Sequence, residues 1–414
     1  MNKQFIHIKE GSTMKKWIVA LFTLVTMMLL IQDAFAIPAF ARRYKISCNT
    51  CHDPFPRLKP YGDEVAANGF IIPEEEKERD YVTAGDDMLW LNKTFPIAVR
   101  FDAFAMYDQD AEVERDLQTP WGLKLLSGGA IYKNIGYYFY FYMSEGGEIA
   151  GIEDAYIHFN NVFNTNLDIM VGQFQTCDPL MKRELRLTYE DYYIYKMKVG
   201  ESAADLTYDR GVMLSYTIDK TATDIVAMFV NGNGKGAAEN DKYDNDNNKN
   251  IGLRVKENIG DFLGIGGFYY MGKETAWINP NPGDPEPWPD FKVENKITYY
   301  GPDVTIGVGP LNFTGQYLVR EDTNPDFFIT KPSDKVKGSG IVTELVIAPH
   351  MDRSRYYITL LYNQIDHDYT AYNYESATVS GTYLLARNLR VMAEYTRDME
   401  NDRNRVTIGL VSGF

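Results

Sequence analysis

Cys48, Cys51 and His52 stand in the spacing Cys-x-x-Cys-His. Two thiols so placed add across the vinyl groups of a haem, and the adjoining imidazole reaches the iron. The expected chemistry is one covalent haem c with His52 as proximal ligand. A zinc site needs two further Cys or His ligands at close spacing, and the surrounding segment offers none. A redox dithiol has no use for His52. The remaining cysteine, Cys177, has no partner left, so no disulfide framework is expected. Two residues are candidates for the distal iron position, and the residues alone leave the choice open. Met88 is the one methionine between His52 and the first strand, and its thioether would raise the potential. His158, on a strand face shared with Asp154 and Tyr156, would give bis-His ligation and lower it. Arg42, Arg43 and Lys45 precede the motif, placed either to pair with haem propionates or to form a solvated basic patch.

The segment that carries this motif, residues 37–95, has several Pro and Gly and a polar stretch from Glu74 to Asp80. It shows no alternation of period two, and Val65 to Asn68 read as a short helix closed by Gly69. A segment of under 60 residues is short for a fold that must shield its own haem, because small domains bury too little surface. The missing walls are expected from the rest of the chain, with the segment seated as a plug rather than hung on a tether.

From Phe95 onward the period becomes two. Ile97, Val99, Phe101, Ala103 and Ala105 share one face, and Ala98, Arg100, Asp102 and Phe104 the other. An apolar face opposite a charged face suits a strand between lipid and a polar lumen. Sixteen such segments run to the C-terminus, where Val406, Ile408, Leu410 and Phe414 share a face. The connections sort by length. Those after even-numbered segments are short, such as 133–135 and 387–388. Those after odd-numbered ones are mostly long and polar, such as 107–120, 175–210 and 232–249. The fold class that follows is all-β: a transmembrane antiparallel β-barrel of about sixteen strands over residues 96–414, with a small N-terminal haem c plug. The longest connection, Gln175 to Arg210, either folds inward to narrow the channel or forms an ordinary external loop.

Residues 1–36 read as an export signal. Lys15 and Lys16 form the charged start, Trp17 to Ile31 the apolar stretch, and Ala34-Phe35-Ala36 a small-residue cleavage site. The apolar stretch falls short of a helical span of about 20 residues. Cleavage would take four basic and two acidic residues from totals of 42 and 57, leaving a net charge of −17. That balance argues against nucleic acid as a partner. Acidic clusters at Asp108, Asp110, Glu112, Glu114 and Asp116, and at Asp241, Asp244 and Asp246, fall in long connections, where they would enrich cations at the barrel mouth.

The N-terminal segment resembles the fused monohaem cytochrome–porin family, the outer-membrane iron-oxidising c-type cytochromes. The resemblance rests on Ala36, Pro38, Phe40, Ala41 and Arg42, on Cys48-x-x-Cys51-His52, and on Pro56, Leu58, Gly62 and Gly69-Phe70. It covers about 35 residues of the 414, and the barrel matches only as architecture. The resemblance implies an outer-membrane protein of iron(II) oxidase type, its haem segment entered from the periplasmic side. Electrons would pass singly from extracellular Fe(II) through the haem to a periplasmic cytochrome c or similar acceptor. Flow toward an external acceptor, or a solute porin with a structural or sensory haem, are the alternatives.

Overall fold

In the computed structural model, which describes residues 39–72, 95–177, 180–238, 241–280 and 290–414, the alternating segments become sixteen strands. They are β1 (Ile97–Asp108), β2 (Arg115–Tyr132), β3 (Ile135–Glu145), β4 (Gly151–Val162), β5 (Leu167–Phe174), β6 (Asp209–Ile218), β7 (Thr223–Val230) and β8 (Asn250–Ile259). There follow β9 (Leu263–Ile278), β10 (Phe291–Val308), β11 (Leu311–Asp322), β12 (Val336–Ile347), β13 (Tyr356–His367), β14 (Tyr374–Ala386), β15 (Leu389–Asp398) and β16 (Arg403–Gly413). Each pairs antiparallel with its sequence neighbours, and β1 pairs with β16 to close a barrel. The seam runs from Arg100 opposite Gly413 to Asp108 opposite Arg405, and Phe414 N–H donates to the Val99 carbonyl at 2.8 Å. Closure leaves no strand edge unpaired.

Period two decides the faces. On β13, Tyr356, Ile358 and Leu360 point outward and are exposed, while Tyr357, Thr359, Leu361 and Asn363 point inward and are buried. On β16, Val406, Ile408 and Leu410 are outward and Thr407 inward. All sixteen expected segments form strands, but several run further into the long-loop side than alternation indicates. β2 starts at Arg115 rather than 121, and β9 continues to Ile278 rather than 272. Backbone ladders go on past the apolar band, where charged residues such as Arg115, Asp116, Lys273 and Glu274 break the alternation.

The long connection 175–208 turns into the barrel instead of standing outside it. Its Tyr192, Ile194, Tyr195, Met197 and Leu206 pack with the inward side chains Phe268, Tyr270, Ile297, Tyr299, Leu318, Val342 and Leu361. The hydrophobic core therefore lies inside the cylinder. A side chain fully buried there contributes about 1.5–3 kcal/mol.

Near the N-terminus lie α1 (Ala39–Tyr44), a 3₁₀ turn at Cys48–Thr50 and α2 (Pro60–Ala67). The helix expected near 65–68 starts five residues earlier, because Pro60 occupies the first helical turn, where its fixed φ and missing N–H suit it. By their contacts the described residues form one compact unit.

Candidate functional site

The Cys-x-x-Cys-His segment is a tight turn. The N–H groups of Cys51 and His52 both donate to the Cys48 carbonyl, at 3.3 and 2.9 Å. Cys48 and Cys51 are free thiols, each half-buried. Burial pushes both thiols up, against the lowering effect of Arg387 on Cys48 and of Lys59 on Cys51. α2 crosses directly over the motif at Gly62, where any Cβ would stand 2.2 Å from the Cys51 carbonyl oxygen. The His52 ring is held from one side. Its Nδ1 lies 2.9 Å from the Pro56 carbonyl and 3.3 Å from that of Arg57. A carbonyl only accepts, so the proton sits on Nδ1 and the lone pair on Nε2. Burial lowers the imidazole to about 4, with the Pro56 and Arg57 carbonyls pulling the other way, so the ring is neutral at pH 7. A neutral imidazole with its second nitrogen hydrogen-bonded is the form that ligates a metal. The Phe55 ring stands edge-on at 5.4 Å.

Residues 39–72 are fastened to the short-turn end of the barrel on two sides. On one, Tyr357 of β13 donates to Asp53 at 2.9 Å, Lys59 pairs with Asp352 at 3.0 Å, and Arg57 lies 3.8 Å from Glu344 of β12. Phe55 packs on the cluster of Phe104, Met392 and Val411. On the other, Phe70 stacks on Tyr138 of β3 at 4.5 Å and on Phe40 at 5.5 Å, and Asn160 donates to the Asn68 carbonyl at 2.6 Å. Gly69, at φ +61°, lies against His158 and Gly136. A Cβ on Gly69 would come within 3.0 Å of the His158 side chain, and one on Gly136 within 2.2 Å of the Gly69 carbonyl oxygen.

The inward loop meets this segment from the opposite direction. Tyr192 of the loop donates to Glu344 at 2.8 Å, on the carboxylate that Arg57 approaches. Lys182 stands over the Tyr138 ring that Phe70 stacks on. Wall charges anchor the loop elsewhere. Asp102 takes Arg100 at 2.9 Å and Lys124 at 3.1 Å, and Lys124 reaches Glu184 of the loop at 3.4 Å. Arg320 of β11, wholly buried, donates to the Met197 and Ala204 carbonyls and to Ser202. Within the loop, burial alone would raise the Asp191 carboxyl, but Arg186, Arg183 and Lys196 hold it well below the carboxylate range.

The expected residues are thus placed as follows. Cys48, Cys51 and His52 lie together at the short-turn end. Arg42 is exposed and donates to the Ile97 carbonyl, where β1 begins. Arg43 lies over the Tyr44 ring and next to Gly129. His158 faces the lumen and is buried, its Nδ1 without a hydrogen-bond partner among the described residues, but it belongs to the Gly69 side. β4 is four strands round the wall from β16, against which the His52–Phe55 side rests. Met88 and the export segment 1–36 lie outside the described residues. Asp244 is paired with Lys249, and Asp246 accepts the Thr275 N–H at 2.7 Å. Among the described residues, no three His, Cys, Asp or Glu side chains gather in a way that could hold a metal ion. Sequence reading met Pro56 only among the residues of the family resemblance and did not reach Arg57 or Glu344; alternation, which puts Glu344 on the inward face of β12, hinted at the last of them.

No protein-family profile matches the sequence, and no curated protein matches it. Solved structures do. An anion-selective porin from Comamonas acidovorans aligns with a TM-score of 0.55 at 10% identity, over 78% of this chain and 99% of that one. OmpT, an outer membrane protein of Vibrio cholerae, in a trimer form, aligns with a TM-score of 0.51 at 12% identity, over 78% and 99%. Salmonella typhi OmpF in complex with daunomycin aligns with a TM-score of 0.51 at 11% identity, over 77% and 97%. At such identities the likeness is one of fold: a closed sixteen-strand barrel of porin type.

Proposed function

We propose that this chain is an outer-membrane barrel that carries one covalent haem c and passes single electrons through it. The proposed donor is extracellular Fe(II), and the proposed acceptor is a periplasmic cytochrome c or similar carrier. The single observation that carries the reading is the setting of His52. Its Nδ1 is satisfied by the Pro56 carbonyl, its ring is neutral, and two free thiols sit within the same turn, at the end of a barrel whose lumen is packed with side chains. The donor set fits haem c: Cys48 and Cys51 would hold the vinyl carbons and His52 Nε2 the iron. The haem supplies a one-electron couple, Fe(II) giving one electron and leaving as Fe(III).

The protein's share is structural and electrostatic. The Pro56 carbonyl fixes the imidazole tautomer and raises its basicity as a ligand. α2 and the short turns around Asp352 and Arg387 shield the motif. The inward loop packs against the wall inside the lumen, which favours electron passage over solute passage. The exposed apolar outer face and the short-turn/long-loop asymmetry support an outer-membrane location with the haem segment entering from the periplasmic side. Charges on the long-loop side enrich cations there.

A second reading, a solute porin with a structural or sensory haem, is favoured by the porin-type neighbours. Flow toward an external acceptor differs only in direction. Purified full-length protein in detergent separates these. Stopped-flow mixing with Fe(II) is expected to give the ferrous haem spectrum, lost together with the haem stain in Cys48→Ala/Cys51→Ala. A haem that stays ferric across a range of pH, in protein that conducts ions in planar bilayers, would establish the porin reading instead.

A further inference from the structure

The outward face of β9 and β10 changes character toward the long-loop end. Within the apolar band Tyr269, Met271 and Tyr300 are exposed on it, with Tyr269 opposite Tyr300 in the ladder. Two residues beyond Met271 on β9 comes Lys273, and it stands opposite Lys296 of β10. Period two keeps Lys292, Glu294, Lys296 and Tyr300 on this face, because Val293, Asn295, Ile297 and Tyr299 are buried on the other. One carboxylate serves two of these cations: Glu294 pairs with Lys273 at 3.0 Å and with Lys292 at 3.3 Å. Lys296 has no carboxylate within ion-pair distance among the described residues, nor has Lys331 in the β11–β12 connection. A local excess of ammonium groups therefore stands on a chain whose formal charge is −15.

The same place holds a cavity of about 390 Å³, whose lining includes Lys292, Lys296, Lys331, Glu294, Phe328 and Ile329. Its wall is fixed by hydrogen bonds. The Lys296 N–H donates to Thr323 Oγ1 at 2.9 Å, and the Thr323 N–H returns to the Lys296 carbonyl at 3.1 Å. The side chain of buried Asn324 donates to the Phe328 carbonyl at 2.9 Å and accepts the Phe328 N–H at 3.0 Å. That clamp presents Phe328 and Ile329 to the outside, 55% and 44% exposed. Cations with exposed apolar side chains, next to outward tyrosines at the edge of the lipid band, suit an amphiphile with an anionic headgroup.

We propose that this cavity binds the headgroup of a phosphorylated glycolipid of the outer leaflet. Lys296 and Lys331 would receive the phosphate, each as a point charge. Phe328 and Ile329 would cover the carbon skeleton of the sugar, and the acyl chains would descend along Tyr300, Tyr269 and Met271. A free phosphate would gain nothing from the apolar pair, which favours the lipid. The inference is independent of the haem and rests only on the outer-membrane placement of the barrel, long loops outward.

The test titrates the full chain, purified in a non-ionic detergent, with lipid A bearing two phosphates and with the same lipid stripped of both. Native mass spectrometry counts the bound lipid, and heat-modifiable mobility on gels checks that each barrel is folded. The parent is expected to prefer the phosphorylated lipid. Lys296→Gln/Lys331→Gln is expected to hold it about thirtyfold more weakly. Phe328→Ser is expected to weaken both lipids. Lys133→Gln/Lys220→Gln, which removes the same charge from the short-turn end, is expected to bind as the parent does. Equal binding of the two lipids by the parent overturns the proposal, as does equal loss in the two lysine pairs. If inorganic phosphate displaces the lipid completely and Phe328→Ser changes nothing, the site takes a free anion and the lipid assignment fails. It fails too if no lipid binds and the parent runs instead as an oligomer that Lys296→Gln/Lys331→Gln dissociates, since a second copy of the chain then covers this face.

Discussion

Arg320 gives the sharpest test of a lumen closed by its own loop. The side chain is wholly buried on β11 and donates to the Met197 carbonyl at 2.7 Å, the Ala204 carbonyl at 2.8 Å and Ser202 Oγ at 2.7 Å, all in the inward loop. It also bonds Tyr299 Oη at 2.7 Å and grips Asp322 at 2.7 and 3.1 Å. Arg320→Met keeps the packing volume and removes all of these bonds. It leaves Asp322 buried with one remaining partner, Asn295 at 2.8 Å, and strands two loop carbonyls. Breaking a buried pair from one side costs about 3–5 kcal/mol. If most of that falls on the docked loop, its opening equilibrium rises by roughly a hundred- to several-thousand-fold. The assay is twofold: proteolytic cutting within residues 180–206 in detergent, and single-channel current in planar bilayers. Faster cutting and new conducting events are expected together. A variant that keeps the barrel's heat-modifiable mobility on gels yet shows parental cutting and parental current would refute the view that this arginine holds the lumen shut.

Two further outcomes follow from the same geometry. Gly69→Ala must place a side chain at φ +61° and within 3.0 Å of the His158 side chain, so docking of residues 39–72 is expected to weaken by about 1–2 kcal/mol or more; earlier proteolytic release of that segment checks it. Asp191, held well below its ordinary range by Arg186, Arg183 and Lys196 against the opposing effect of burial, contributes stability that is present above the unfolded value of about 3.9. That contribution is lost as pH falls through the lowered native value. Loop protection is therefore expected to survive at pH 4, and to be weaker there in Asp191→Asn than in the parent.

The barrel was legible because alternation is a local signal: β1 shows its inward Arg100, Asp102 and Phe104 without reference to any other strand. Strand ends were not, because hydrogen-bond ladders outlast the apolar band, as at Arg115 and Ile278. The grouping of Cys48, Cys51 and His52 was equally legible, since all three lie within one turn.

The chain's own order of residues thus determined a Cys-x-x-Cys-His spacing and sixteen amphipathic strands, both set by neighbours a few positions apart. Tertiary structure alone decided that 175–208 turns inward, that Glu344 is shared by Arg57 and Tyr192, and that Arg390 lies buried with no carboxylate bonded to it among the described residues. Those are relations between residues up to hundreds of positions apart. They exist only once closure of β1 on β16 brings the walls of the cylinder around a common interior.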